Sequence, residues 1–189
     1  MKVAGVILAA GRSQRFGEQK LLRNIGGRRI IEWSISAIQG SGADPLLAVV
    51  SRGMTDSFPP SFIIIENDRQ ELGISYSISL AISNVGKCDG ILFHLADQPF
   101  VDSDLLRRMI TLFKNGKKIV AASVGGEPRN PMIFQSSLFS ELLALSGDRG
   151  ARSVALNHMD QVVMQEVDAS ILMDIDTQSD LENARKFRE

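Results

Sequence analysis

The chain has 189 residues, with 21 Lys and Arg against 22 Asp and Glu for a formal charge of −1 and a pI near 6.1. That balance offers no global field for nucleic acid or an anionic membrane, so any anion binding must be local. One cysteine, Cys88, and two separated histidines exclude an internal disulfide and a Cys/His zinc site and fit a reducing, cytoplasmic setting.

No apolar run approaches the ~20 residues that a membrane span requires, and Met1-Lys2 leads into a short apolar run without a signal-type cleavage region. The length fits one domain over 1–189, large enough to build a core without staples. Val3 to Ala9 reads as a buried parallel strand, and the glycine-bracketed turn behind it, from Gly11 to Lys20, carries Arg12, Arg15 and Lys20. Gly11 permits close approach of backbone to a ligand, and Arg15 and Lys20 can reach phosphate oxygens, so the segment reads as a phosphate cradle or as a solvated charged turn. Its spacing fits neither the dinucleotide fingerprint nor the P-loop.

Further apolar runs at 46–51, 62–66, 90–95, 119–124 and 161–167 alternate with segments of helical period, which predicts an α/β domain with a mainly parallel sheet. Ile31, Ile35 and Ile38 mark a first helix; Ile74, Ile78, Ala81, Ile82 and Val85 mark a second. Asp102 or Ser103 can cap a third helix, which buries Leu105, Leu106, Met109, Ile110 and Phe113 and ends at Asn115-Gly116. Pro131 to Phe134 predicts a short strand, 136–145 and 149–157 predict helices, and the last helix starts from Thr177, where Thr177-Gln178-Ser179-Asp180 resembles a capping box with Asp in place of Glu. Gly125-Gly126-Glu127-Pro128 is turn-sized punctuation.

In open α/β sheets ligands bind beyond the carboxyl ends of strands, which directs attention to four polar segments. Asp97, in Ala96-Asp97-Gln98-Pro99, ends an apolar strand and is placed either to ligate Mg²⁺ or to cap the Pro99 turn. In Leu172-Met173-Asp174-Ile175-Asp176-Thr177, an extended chain would project Asp174 and Asp176 to one side, where one could join Asp97 on a cation; the other reading is ordinary helix capping. Ser75, after Gly73-Ile74, serves as N-cap or as ligand contact. Glu127 to Pro131 and Gly147 to Arg152 are polar loops suited to a second, anionic substrate or simply exposed. His94 lies inside an apolar strand and His158 has no triad partner at recognisable spacing, so a hydrolase triad lacks support.

Together these residues resemble the MobA-like nucleotidyltransferases, and within them the molybdenum cofactor cytidylyltransferase type. The likeness rests on Leu8-Ala9-Ala10-Gly11-x-Ser13-x-Arg15-Phe16-Gly17-x-x-Lys20-Leu21-Leu22 (with Gln14 as the second x), Gly73-Ile74-Ser75-x-Ser77, Ala96-Asp97-Gln98-Pro99, Arg129-Asn130-Pro131, Gly147-Asp148-x-Gly150-Ala151-Arg152 and Asp174-Ile175-Asp176-Thr177. Phe16 stands where the family usually has Met, and 52–61 is short and Pro-containing. The resemblance implies a three-layer α/β/α sandwich with a mainly parallel, mixed sheet of the nucleotide-diphospho-sugar transferase type, which is Rossmann-like.

It further implies Mg²⁺-dependent transfer of CMP from CTP to the phosphate of molybdopterin or molybdenum cofactor, with release of pyrophosphate. On this reading Arg15, Lys20 and Asp97 are catalytic. Leu8, Ala9, Ala10, Gly11, Ser13, Arg15, Lys20, Gly73 and Ser75 bind the nucleotide. Asp97 and Asp176, with Asp174 as the other candidate, hold the metal, and Gln98, Arg129, Asn130, Asp148 and Arg152 bind the acceptor. The Ala9-Ala10-Gly11 form resembles the cytidylyl branch, where guanylyl enzymes have Ala-Gly-Gly. A phosphorylated pterin is the implied acceptor, and a molybdoenzyme or its chaperone a candidate partner; nucleic acid and membrane are not expected partners. GTP or another nucleoside triphosphate as donor, a sugar or polyol phosphate as acceptor, and a nucleotide-binding accessory protein without turnover are the alternatives.

Overall fold

The structure is a computed structural model and describes residues 1–11 and 19–188. In chain order the strands and helices are β1 (Val3–Ala9), β2 (Asn24–Ile25), β3 (Arg28–Arg29), α1 (Ile30–Gln39), β4 (Leu46–Ser51), β5 (Phe62–Asn67), α2 (Ile74–Asn84), β6 (Gly90–Leu95), α3 (Ser103–Lys114), β7 (Ile119–Val124), β8 (Glu127–Gln135), α4 (Phe139–Leu143), α5 (Arg152–Asn157), β9 (Val162–Glu166) and α6 (Gln178–Arg188). The main sheet runs β5-β4-β1-β6-β8-β7-β9. β8 alone is reversed, pairing antiparallel with both β6 and β7, while the other pairings are parallel. Among the described residues no helix is long and apolar enough to cross a membrane.

β1 lies between β4 and β6 and is buried along its whole length, because helices cover both faces of the sheet and alternation therefore gives way to a continuous apolar run. Successive side chains still divide between the two layers. Val3, Ile7 and Ala9 join α1, α3 and α6 through Ile31, Ile38, Met109, Phe113 and Leu181, whereas Ala4, Val6 and Leu8 join α2, α4 and α5 through Ile78, Ala81, Leu142 and Val154. At Gly5 a Cβ would lie 2.9 Å from Ala43 Cβ and from Ile38 Cδ1. A side chain there would push α1 off the sheet.

The apolar runs all become strands, with β8 longer than the Pro131–Phe134 stretch predicts. Its pairing with β7 jumps from Ala121↔Met132 to Ala122↔Arg129, so Asn130 and Pro131 form a bulge, one of the few places where a sheet accepts proline. Gly125 and Gly126, both with positive φ (61° and 78°), make the β7–β8 hairpin turn, and Glu166 fastens it by accepting from the Ser123 hydroxyl (2.6 Å) and the Gly125 N–H (2.5 Å).

The helices predicted at 136–145 and 149–157 are shorter than expected. A 3₁₀ turn, Ser136–Leu138, precedes α4, and 144–151 is a loop. α3 is capped by Asp102, which accepts from Leu105 N–H (2.8 Å). The Thr177–Asp180 box forms reciprocally, with Thr177 N–H to Asp180 Oδ2 at 2.7 Å and Asp180 N–H to Thr177 Oγ1 at 3.2 Å.

Candidate active site

The carboxyl ends of β1 and β6 open into a cleft of about 270 Å³, walled by Leu8, Ala9, Ala10 and Gly11 on one side, by Gly73, Ile74 and Ser77 on another, and by Lys20, Asp97 and Asp148. The turn after β6 is tied down on both sides. Ala96 N–H donates to Leu8 O (3.1 Å), and the buried Ser34 hydroxyl donates to Ala96 O (3.0 Å). Asp97 in turn accepts Ile175 N–H at its carbonyl (3.0 Å), which aligns the 172–177 segment beside it. Asp174 and Asp176 thereby come to the same site as Asp97 from 77 or more residues away in the chain.

Lys20 is the hub of this cluster. Its ammonium donates to Asp97 Oδ2 at 2.7 Å and to Asp176 Oδ1 at 2.8 Å. Burial alone would lower the lysine pKa, but the two carboxylates outweigh it and the net shift is upward. Asp174 moves in the opposite sense for a carboxyl. Burial first, then the charge of Asp97, push it up to about 6, against a hydrogen bond from Gln98. Asp97 therefore faces Lys20.

Asp97 and Asp176 share a single ammonium here, and Asp174 lies within electrostatic reach of all three. That donor set carries surplus negative charge, which suits a hard divalent cation with oxygen ligands. Among the described residues, no three His, Cys, Asp or Glu side chains are already arranged around one point as metal ligands, and Lys20 lies between Asp97 and Asp176. A cation bound there would share or displace that ammonium.

Of the expected site residues, Gln98, Ser75 and Arg152 are placed differently from their assigned roles. Ser13 and Arg15, together with the rest of 12–18, lie outside the described residues. Gln98 is 3% exposed and turned into the 172–174 segment, with Nε2 3.4 Å from Leu172 O; an acceptor in the open cleft does not reach it, so its role is to hold that segment. Ser75 is not the cap of α2, because that place belongs to Gly73. It is buried, its hydroxyl turns back to Leu72 O (3.4 Å), and its N–H donates to Gly147 O (3.2 Å).

Ser77 is the serine on the cleft wall. Starting α2 at Ile74 puts position 77 on the same helical face as 74, a spacing that sequence alone could have used. The buried Asn67 donates to Ser77 Oγ (2.9 Å) while accepting Arg69 N–H (2.8 Å). The serine oxygen is thus already an acceptor, and its hydrogen is left for the cleft.

Asp148, expected among acceptor contacts, also lines the cleft beside Gly73. Arg129 and Asn130 sit at the β8 bulge beyond the end of the β6 pairing. Arg152 is engaged in structure, donating to Pro128 O (2.8 Å) and lying 3.3 Å from Glu127. His94 is fully buried inside β6, and His158 pairs with Glu141 (2.8 Å).

Comparison with known proteins places this geometry. Residues 5–162 match the model of the MobA-like NTP transferase domain. The chain is 28% identical over 197 residues to the purine catabolism protein PucB of Bacillus subtilis, covering 96% of this chain and 95% of that one. It is 27% identical over 137 residues to a molybdenum cofactor guanylyltransferase of Haemophilus influenzae, covering 72% and 71%. Among solved structures, Rv0371c of Mycobacterium tuberculosis superposes with a TM-score of 0.84 at 24% identity, covering 98% of this chain and 99% of that one, and its complex with manganese superposes at 0.81; these likenesses establish the fold. The chain belongs to the MobA-like NTP transferase domain family.

Proposed function

We propose that this protein transfers a nucleotidyl group, CMP from CTP, to the terminal phosphate of a phosphorylated pterin of the molybdopterin type, with Mg²⁺ and release of pyrophosphate. The observation that carries this reading is Lys20 held between Asp97 and Asp176 at the mouth of a cleft built from the ends of β1 and β6. A phosphate nucleophile is already ionised near neutral pH, so no side chain need remove a proton. That fits a site in which neither histidine takes part. The chemical demand is to hold two polyanions in line and to stabilise charge on the departing pyrophosphate.

Ala9, Ala10 and Gly11 offer backbone to the nucleoside, Ser77 offers its hydroxyl hydrogen, and Lys20 offers its ammonium to phosphate oxygens. Arg15 is proposed to do the same from the neighbouring segment. Asp97 and Asp176, with Asp174, would hold the metal, and Gln98 keeps Asp174 in place. When bound, a divalent metal supplies Lewis-acid stabilisation of phosphate charge. Arg129 and Asn130, at the β8 bulge, are placed for an anionic acceptor.

CTP is favoured by the resemblance of Ala9-Ala10-Gly11 to the cytidylyl branch. GTP is the second reading, favoured by the guanylyltransferase relative. A sugar or polyol phosphate acceptor would use the same donor half of the site. An accessory protein that binds nucleotide without turnover would make little use of Asp97 and Asp176 converging on Lys20.

The test is turnover in Asp97→Asn and Lys20→Ala, each titrated with Mg²⁺ and followed by pyrophosphate release. Loss of one such group costs about 10²–10³ in rate, and Asp97→Asn should also weaken the Mg²⁺ dependence. Near-normal turnover with an unchanged Mg²⁺ titration would remove Asp97 from the mechanism.

A further inference from the structure

Ser77 stands on the cleft wall, 6% exposed, and its hydroxyl is held from behind. The residue behind it is Asn67, the last of β5, which is 1% exposed and is not among the residues that wall the cleft. The parallel pairing of β5 with β4 fixes its place, Asn67 lying opposite Ser51. The start of α2 is fixed separately. Gly73 caps the helix with φ +79° and ψ −176°, a conformation reserved almost wholly for glycine. A Cβ there would stand 2.4 Å from the Gly147 carbonyl, and that carbonyl accepts Ser75 N–H (3.2 Å). The 146–150 loop is thus seated on the first turn of α2, the turn that carries Ser77 to Asn67.

The direction of each hydrogen bond in this chain follows from a backbone group. Arg69 N–H can only donate, so the amide atom that meets it at 2.8 Å is the oxygen of Asn67. The amide nitrogen therefore faces Ser77 and donates to its Oγ at 2.9 Å. An amide NH₂ accepts nothing, so the serine hydrogen has no way back along the same contact. Among the described residues Asn67 alone is hydrogen-bonded to Ser77 Oγ. A free serine hydroxyl turns to donate or accept as its neighbour requires, whereas this one is set to donate. We infer that Asn67 is a positioning residue for nucleotide binding: without touching the ligand it fixes Ser77 as a one-way donor into the cleft. The ligand atom seated against Ser77 is therefore a hydrogen-bond acceptor, a chemistry that carbonyl, ribose and phosphate oxygens share. This inference rests on the nucleotide reading proposed above.

Calorimetric titration of the whole chain with CTP and Mg²⁺ tests it, in a double-mutant cycle over Asn67→Asp and Ser77→Ala. Ser77→Ala should weaken CTP about 3- to 10-fold, the range of one neutral hydrogen bond. In Asn67→Asp the carboxylate still accepts Arg69 N–H, but its other oxygen draws the serine hydrogen out of the cleft, and CTP should weaken by at least the same factor. The added negative charge repels the nucleotide in either background, so the difference between backgrounds is what decides. Made on Ser77→Ala, Asn67→Asp should cost about 3- to 10-fold less than it does in the wild type. Asn67→Leu, uncharged and of similar volume, serves where the buried carboxylate prevents folding; it should weaken CTP when Ser77 is present and leave the affinity of Ser77→Ala unchanged. The same cycle with inorganic tripolyphosphate locates the acceptor. Coupling that persists there puts it on a phosphate, and coupling confined to CTP puts it on the nucleoside. If the wild type binds GTP and not CTP, the cycle is run with GTP under the same expectation.

An equal loss on changing Asn67 in both backgrounds, as a merely structural role would give, overturns the inference. So does an unchanged nucleotide affinity in Ser77→Ala. A wild-type protein that binds no nucleoside triphosphate overturns the nucleotide reading itself.

Discussion

Lys20→Met removes an ammonium that donates to Asp97 at 2.7 Å and to Asp176 at 2.8 Å while keeping the length of the stem. The two contacts are unequal, because the Asp97 side chain is 22% exposed and that of Asp176 is 50% exposed. A charge-assisted bond to the mostly buried partner contributes about 1.5–3 kcal/mol, and the half-exposed partner adds less than about 1 kcal/mol. The variant should lose about 2–3 kcal/mol, or about 5–10 °C in Tm for a chain of this size.

The same change should make the cluster a better cation site, since Asp97 and Asp176 lose the ammonium between them. Stabilisation by a bound ion follows RT ln(1 + [M]/Kd) and reaches about 2.7 kcal/mol at a hundredfold excess over Kd. Thermal unfolding followed by circular dichroism, with and without Mn²⁺ or Mg²⁺, reads both effects. Metal should raise the Tm of Lys20→Met more than that of the wild type, although the variant's turnover should fall about 10²–10³-fold. A variant that melts with the wild type, or equal metal shifts in the two proteins, would refute the view of Lys20 as the counter-charge at a cation site.

Gly73→Ala should cost about 1–3 kcal/mol from its backbone conformation and should loosen the 146–150 loop against α2; the readouts are Tm and nucleotide affinity, and no change in either contradicts the packing described. His94 is held neutral by burial with its pKa lowered to about 3. Because the unfolded chain binds the extra proton below about pH 6.5, stability is full above that value and falls as pH drops toward 3, with about 2 kcal/mol lost between pH 7 and 5. Urea unfolding at the two pH values should show the wild type losing about 2 kcal/mol more than His94→Leu, since the raised carboxyl of Asp174 acts in the opposite sense equally in both; identical pH dependence would contradict it. Asp180→Ala, which removes the reciprocal cap at Thr177 and the acceptor for Asp176 N–H (3.1 Å), should cost about 1 kcal/mol, lowering both Tm and turnover, the latter through a displaced Asp176. Turnover equal to wild type would separate the cap from the site.

The strands were legible because each is a short apolar run between turn residues, and a sheet covered on both faces leaves that signature directly in the sequence. Asp102 and the Thr177–Asp180 box were equally legible, since a cap is a local hydrogen bond between residues three apart. What needed the structure was everything decided by distant partners. Gln98 looks like a site residue from its place after β6, yet it is drawn inward by Leu172 and Asp174, which follow it by more than 70 residues. Ser75 and Ser77 are indistinguishable until the helix start is fixed at Ile74; both are then buried, Ser75 against the Gly147 carbonyl and Ser77 on the cleft wall. Where helices were expected at 136–145 and 149–157, a loop over 144–151 rests on the start of α2 and brings Asp148 to the cleft. That Asp174 or Asp176 could join Asp97 was legible from extended geometry at 172–177, but the Ile175 to Asp97 backbone bond and the place of Lys20 between the two carboxylates needed the structure.

The most direct measurement is the product itself. The protein is incubated with CTP, GTP, ATP or UTP, Mg²⁺ and a molybdopterin-type phosphorylated pterin, and the mixture is resolved by mass spectrometry. A pterin cytosine dinucleotide with one pyrophosphate per turnover is the predicted result. A guanine dinucleotide would contradict the choice of base, and no product or pyrophosphate with any donor or phosphorylated acceptor would contradict nucleotidyl transfer.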